Sequence, residues 1–341
     1  MAPDGTVVSV SLDGTMKLWS TSGVQQGQAA APVQHSGWVN ACTVRRTGTT
    51  AASASSDASI RLWDWSAGTS WQVLLGHTNS VRGCVFGPGH DQLVSASADK
   101  SLKVWNVRSG TVVATLLGHT DWVNACSVSP DGHLVVSASS DRTLRVWDTR
   151  SWTQRLRIVA HSDSLTACRF APSGLFFVSA SADGTLKAWS LPRAKDAWES
   201  LPLNHQRLTE HDWDRMLEPL VIEGHGRGVN DCAISSDSRF IVSASSDGTL
   251  RTWDATTGEL RRHLAGRRHA INGCALSPDD QLLASVSSDS TVDIWRTDSG
   301  DHLATLHVDG LLESCAWMPD GKGVVAVGAA GVYFLSWFGG P

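Results

Sequence analysis

Histidine, serine, aspartate and tryptophan recur together in this sequence at spacings that could support proton transfer to a nucleophile. Around His119, either Ser137 or Ser139 together with Asp141 would complete a catalytic triad, and Trp147 follows six residues beyond the Asp. The same set returns with His35, Asp57 and Trp63, with His77, Asp99 and Trp105, with His161, Asp183 and Trp189, and with His225, Asp247 and Trp253. Five copies argue against catalysis, because an enzyme rarely needs five identical sites. Mutual satisfaction explains the repetition better. An indole N–H, a hydroxyl and an imidazole can pair in sequence when buried, whereas leaving one unpaired costs about 1–3 kcal/mol.

Seven cysteines invite a metal or redox reading. They include no Cys-x-x-Cys pair, and each closes a short apolar segment such as Val123-Asn-Ala-Cys126, where a free thiol packs as a small hydrophobe. Seven is also an odd number and about 2% of the chain, far below a disulfide scaffold, so thiols are the expected state. His205, His211, Asp212 and Asp214 could in principle hold a metal, but their spacing matches no defensible site. No cofactor and no metal is expected.

Two ladders show what positions these groups. Cysteines fall at 42, 84, 126, 168, 232, 274 and 315, and seven of the sixteen tryptophans fall at 19, 63, 105, 147, 189, 253 and 295. Most steps are 42 residues. Between the ladders runs one repeated sentence, Val136-Ser-Ala-Ser-Ser-Asp-Arg-Thr-Leu-Arg-Val-Trp147, in which two strand patterns flank an Asp-centred turn. Val123–Val128 reads as a strand before them and Arg155–Ile158 as one after. Four short strands per unit of this length describe a propeller blade.

With Gly118-His119, the Ser-x-Asp turn and Trp147-Asp148 in register along essentially the whole chain, the sequence resembles the WD40 family. The resemblance implies an all-β propeller of four-stranded antiparallel blades, spanning 1–341 as one domain. It also implies that each His, Ser, Asp and Trp set is a structural hydrogen-bond tetrad, tying strands to the loop that leads into the blade. The family's Gly-His position holds Arg267 and Val308 in the last two units, a departure from the pattern.

Counting leaves the closure open. Six full units plus three strands at each end make thirty strands, while seven blades need twenty-eight and eight need thirty-two. Eight blades are favoured, since that keeps every apolar strand packed. A seven-blade ring could borrow the fourth strand of the first unit, around Gly23 to Gln28, or the chain could belong to a longer polypeptide.

If the repeats are scaffold, function should lie where they differ. In the family, loops leading into the first strands build a partner-binding face. By position this brings up Trp38 and Trp122, and, two before each Cys, Asn40, Arg82, Asn124, Asn230, Asn272 and Glu313, with Thr166 completing that set. Two tryptophans, several amides and one cation suit a protein or peptide partner, although Trp38 and Trp122 could instead cover a blade edge. Ser56, Ala98, Ser140, Ala182, Ser246 and Ser288, just before the turn Asp, suggest a shallow rim rather than a pocket. An insertion over 191–222 could carry a short helix from Thr209-x-x-Asp212, with Trp213, Met216, Leu217 and Leu220 on one side, lying over an outer strand or serving as a docking element.

A net charge of −5 offers no broad cationic surface, so nucleic acid is not an expected partner. The N-terminus lacks the features of a signal peptide, and no stretch approaches about 18 apolar residues. A cytoplasmic protein with no membrane partner is expected. The reading is a non-enzymatic scaffold or sensor, resembling bacterial signalling propellers that accompany an effector domain. The alternative is a propeller enzyme with a central polar site. It would need inward acids or His on first strands that read Val-Asn-Ala-Cys, Val-Arg-Gly-Cys and Leu-Thr-Ala-Cys.

Overall fold

The computed structural model describes residues 35–337 except 47–48, 65, 68, 88–90, 192–217 and 267, together with three strands at 7–10, 15–19 and 25–30. Val-Ser-Ala-Ser segments form second strands because they are buried on both faces, and only small side chains let neighbouring sheets approach closely there. In Leu134–Ser139, for instance, every residue after the first is buried. Third strands such as Thr143–Asp148 pair antiparallel with them, Val136 opposite Val146, and carry the ladder tryptophan inward.

Seven sheets radiate around a central channel, with first strands Val39–Val44, Val81–Phe86, Val123–Val128, Leu165–Phe170, Val229–Ile234, Ile271–Leu276 and Leu312–Trp317. These define blades 1 to 7. Each first strand lies beside the next, and that of blade 7 lies beside that of blade 1, so the ring closes. Apolar clusters fill every junction between neighbouring blades. At the seam, Val39, Cys42, Ala51 and Trp63 pack with Met318, Val325, Val327, Val332 and Phe334.

The ring therefore has seven blades, and the expectation of eight is corrected. The first unit supplies strands Val7–Val10, Thr15–Trp19 and Gln25–Ala30, which form their own sheet. Among the described residues that sheet has no first strand, the member every blade places at the channel, and it stands outside the ring. Nor does Gln25–Ala30, the described part of the segment around Gly23 to Gln28, complete blade 7; it pairs with Thr15–Trp19. Instead Val7–Val10 runs beside the outermost strand of that blade, Gly331–Ser336.

Most of the insertion, including Thr209, Asp212, Trp213, Met216 and Leu217 and the candidate metal ligands His205, His211 and Asp214, lies outside the described residues. Leu220, expected on the helix, is the first residue of Leu220–Ile222, the fourth strand of blade 4.

Candidate functional site

The tetrads have one geometry throughout. Trp147 Nε1 donates to Ser137 Oγ at 2.9 Å, Ser137 Oγ lies 2.8 Å from His119 Nε2, and His119 Nδ1 lies 2.9 Å from Asp141 Oδ2. With the carboxylate accepting from Nδ1–H, the hydroxyl donates to Nε2 and one proton-donating chain runs from indole to acid. Ser137, not Ser139, is the member. Ser139 Oγ instead accepts from the Asp141 backbone N–H at 3.1 Å. The sets built on His35, His77, His161 and His225 repeat this arrangement through Ser53, Ser95, Ser179 and Ser243. Those serines are fully buried, so no substrate could reach them.

Each turn Asp does more than the sequence spacing suggested. Asp141 Oδ1 also accepts from the Thr143 backbone N–H at 3.0 Å and hydroxyl at 2.6 Å. Ser59, Ser101, Thr185 and Thr249 do the same, and the Asp-x-Ser/Thr signal was present in the sequence. Burial pushes these carboxyls up, but bonds from those hydroxyls and the paired imidazoles reverse it, so Asp57, Asp99, Asp141, Asp183 and Asp247 all stay below the usual range. Burial also lowers His119, His161 and His225 by disfavouring imidazolium.

All seven cysteines are buried and unpaired. Five point their thiols at a second-strand carbonyl of the preceding blade, as in Cys126 Sγ to Val94 O at 3.6 Å and, across the seam, Cys42 Sγ to Val325 O at 3.7 Å. Burial pushes Cys42 up to about 12, with a Ser314 hydrogen bond opposing, and the other six rise for the same cause. They are inter-blade packing groups.

The proposed partner-binding positions share a feature invisible in sequence. In every blade the pairing of first and second strands skips one residue, and the skipped residues are Asn40, Arg82, Asn124, Thr166, Asn230, Asn272 and Glu313. Such a β-bulge re-aims a side chain. Here it turns the side chain towards the next blade. Asn40 Nδ2 donates to Val81 O at 2.8 Å, Asn124 to Leu165 O at 2.7 Å, Asn230 to Ile271 O at 2.9 Å and Asn272 to Leu312 O at 2.7 Å. Thr166 Oγ1 reaches Val229 O at 2.6 Å. Ser56 and Ser246 donate to the amide oxygens of Asn40 and Asn230, while Ser140 and Ser288 accept from Asn124 and Asn272. The amide nitrogens are thus engaged within the ring, while the buried Asn124 Oδ1 has no hydrogen-bond partner among the described residues.

Arg82 and Glu313 break the series. The Arg82 guanidinium stands 5.0 Å over the Trp122 ring of the next blade. As a carboxylate Glu313 can only accept, so in that form it cannot bond a carbonyl of blade 1. Burial raises its pKa, partly offset by the charge of Arg82. The seven positions surround an upper recess of about 90 Å³, room for one side chain. Above it Trp38 is 51% exposed, Trp122 47% and Leu311 38%.

Sequence reasoning missed the channel floor. Arg169, half-buried, reaches Asp231 Oδ1 at 3.2 Å, and the Cys232 and Cys274 backbone N–H groups donate to the same carboxylate. Arg169 also lines a cavity of about 690 Å³ that opens on the opposite face, among the turns carrying Arg46, Ser236 and Asp280. First strands therefore do carry acids, Asp231 and Glu313, in the segments Val229-Asn-Asp-Cys232 and Leu312-Glu-Ser-Cys315. Asp231 is neutralised by Arg169, a partner one blade away that no spacing within a single repeat could reveal. Among the described residues no group of three or more His, Cys, Asp or Glu is placed to hold a metal, and no helix is long and apolar enough to cross a membrane.

Seven blades, five of them with a tetrad that ties the sheet to the loop leading into it, define a repeat propeller of the kind used as an interaction scaffold. The profile described as "WD domain, G-beta repeat" matches 31–64, 68–106, 110–148, 152–190, 218–254 and 258–296, more than half of the sequence. The chain belongs to the WD40 family. It is also 46% identical over 43 residues to a protein named MST50-interacting protein 11 from Pyricularia oryzae, a stretch making up 13% of this chain and 14% of that protein.

Proposed function

We propose that this chain is a non-enzymatic docking domain that captures a protein or peptide on its upper face, the face formed by loops leading into the first strands. The observation that carries this is the pair of half-exposed tryptophans, Trp38 and Trp122, held on a rigid rim. Their carbonyls accept from the Ser56 and Ser140 backbone N–H groups at 2.8 and 2.9 Å, so both anchors are ordered before binding. Leu311 of blade 7 extends the apolar arc over blades 7, 1 and 3, whereas blades 4, 5 and 6 offer Ser164, Gly228 and Ala270 at the same position. A partner lying across that arc meets Trp38, Trp122 and the Arg82 guanidinium together, the residue types that dominate interface energetics.

The short match to a protein named as an interacting protein supports the same class of role. The setting we infer is a cytoplasmic signalling assembly with an effector domain on the same polypeptide or bound to it, and seven unpaired thiols support a reducing compartment. To test the site, partners captured by the wild-type chain are identified and titrated against Trp122→Ala. Affinity should fall about tenfold or more, with the melting temperature within a few degrees. Unchanged affinity would place the binding surface elsewhere.

A further inference from the structure

The outer strand of blade 1, Thr69–Leu75, pairs on one side with Ser59–Asp64 and on the other with nothing among the described residues. Gln72 lies over Gly110 of blade 2 and Leu74 is buried between the two blades, so the alternate residues point outward. These are Trp71, Val73 and Leu75, at 48%, 36% and 71% exposure, and they form a continuous apolar stripe. Free strand edges invite pairing, and proteins usually defend them with charge, proline or brevity. Blade 3 carries Arg155 and Arg157 on its outer strand, blade 5 carries Arg261 and Arg262, blade 6 two histidines, and the outer strand of blade 4 is three residues long. Thr-Ser-Trp-Gln-Val-Leu-Leu has none of these defences. Thr111–Leu116 of blade 2 is likewise uncharged, as is Gly331–Ser336 of blade 7, which Val7–Val10 runs beside.

We propose that Thr69–Leu75 is a self-association edge, on which a second copy of this chain adds its own Thr69–Leu75 strand antiparallel about Gln72. Two properties select a second copy. The segment is complementary to itself: centred on Gln72, Trp71 of each copy stands opposite Val73 of the other on the outward face; the pairing with Ser59–Asp64 skips Trp71 and so turns Thr69 to the inward face, which leaves the two Trp71–Val73 pairs as the apolar match. Aromatic and β-branched residues form favourable cross-strand pairs, and the two-fold arrangement closes after two copies. The second property is charge. The chain carries −5 overall and two copies repel, yet this strand has no charge to bring against its twin, whereas the blade 3 and blade 5 edges would set Arg against Arg.

The test measures the mass of the full chain in solution from micromolar to hundred-micromolar concentration. It should rise from 36.4 kDa towards twice that value. Val73→Lys should weaken dimerisation by at least about tenfold without changing the melting temperature, and Val113→Lys on blade 2 should leave it unaltered. Mixing Trp71→Cys with Val73→Cys chains under oxidation should give an intermolecular disulfide that neither variant forms alone, since directly opposed residues lie within bridging distance and all seven native thiols are buried. A chain that stays monomeric throughout overturns the proposal. So does a dimer that survives Val73→Lys, dissolves with Val113→Lys, or fails to form the mixed disulfide.

Discussion

Ser137 sits where Trp147 and His119 meet, so its hydroxyl serves both as acceptor and as donor. Ser137→Ala leaves the buried indole N–H and the imidazole nitrogen unpaired and should cost about 1–3 kcal/mol, read as a lower urea midpoint, with partner affinity unchanged. Loss of affinity in the folded variant would contradict the structural role. The same groups set the response to acid. His119, His161 and His225 are held below their ordinary value, so near and below pH 6.5 the folded chain binds fewer protons than the unfolded one, and stability falls as pH drops through that region. The lowered carboxylates, such as Asp141, add a second loss below about pH 4. Melting temperatures recorded from pH 8 to 4 should therefore decline steadily. A rise between pH 7 and 5.5 would mean that protonated histidines stabilise the fold.

First strands illustrate what an element can hide. The tetrads and the four-strand rhythm were legible because nearly all of their partners lie within one repeat, as Ser137, His119 and Asp141 do. The bulge at Asn124 was not legible, since it becomes visible only when the first strand is paired, and its amide bonds the next blade, forty-one residues on. Trp122 and Asn124 therefore respond differently to truncation. Trp122→Ala removes an exposed ring and should leave stability nearly intact, whereas Asn124→Ala strips a latch between blades and should lower it by about 1 kcal/mol, seen as a shifted denaturation midpoint. Equal midpoints for Asn124→Ala and wild type would show that the latch contributes nothing net. Arg169 and Asp231 escaped notice for the same reason, being neighbours only across a blade boundary.

At the scale of the molecule, the blade count depended on a question that strand arithmetic leaves open: whether the first unit has anything to place at the channel. Among the described residues it has nothing, and the ring closes by packing blade 7 on blade 1. That junction lacks a latch, because Glu313 occupies the bulge where Asn272 and Asn124 donate to the next strand. Glu313→Asn should supply the missing donor towards the Val39 carbonyl and remove a partly buried acid, raising the melting temperature by a few degrees; calorimetry would detect it. An unchanged or lower value would mean that the carboxylate is already well accommodated.

The seam also orders events in time. Cys42 and Val325 are 283 residues apart in sequence, yet they touch. At a synthesis rate of roughly 5–20 residues per second, blade 1 waits on the order of 14 to 57 seconds for the strand that will cover Val39, Ala51 and Trp63. During that interval the growing polypeptide is an open spiral with one wet flank, and blade 7 is what turns it into a closed body. Nascent chains halted before blade 7 should be the form most exposed to chaperones and proteases.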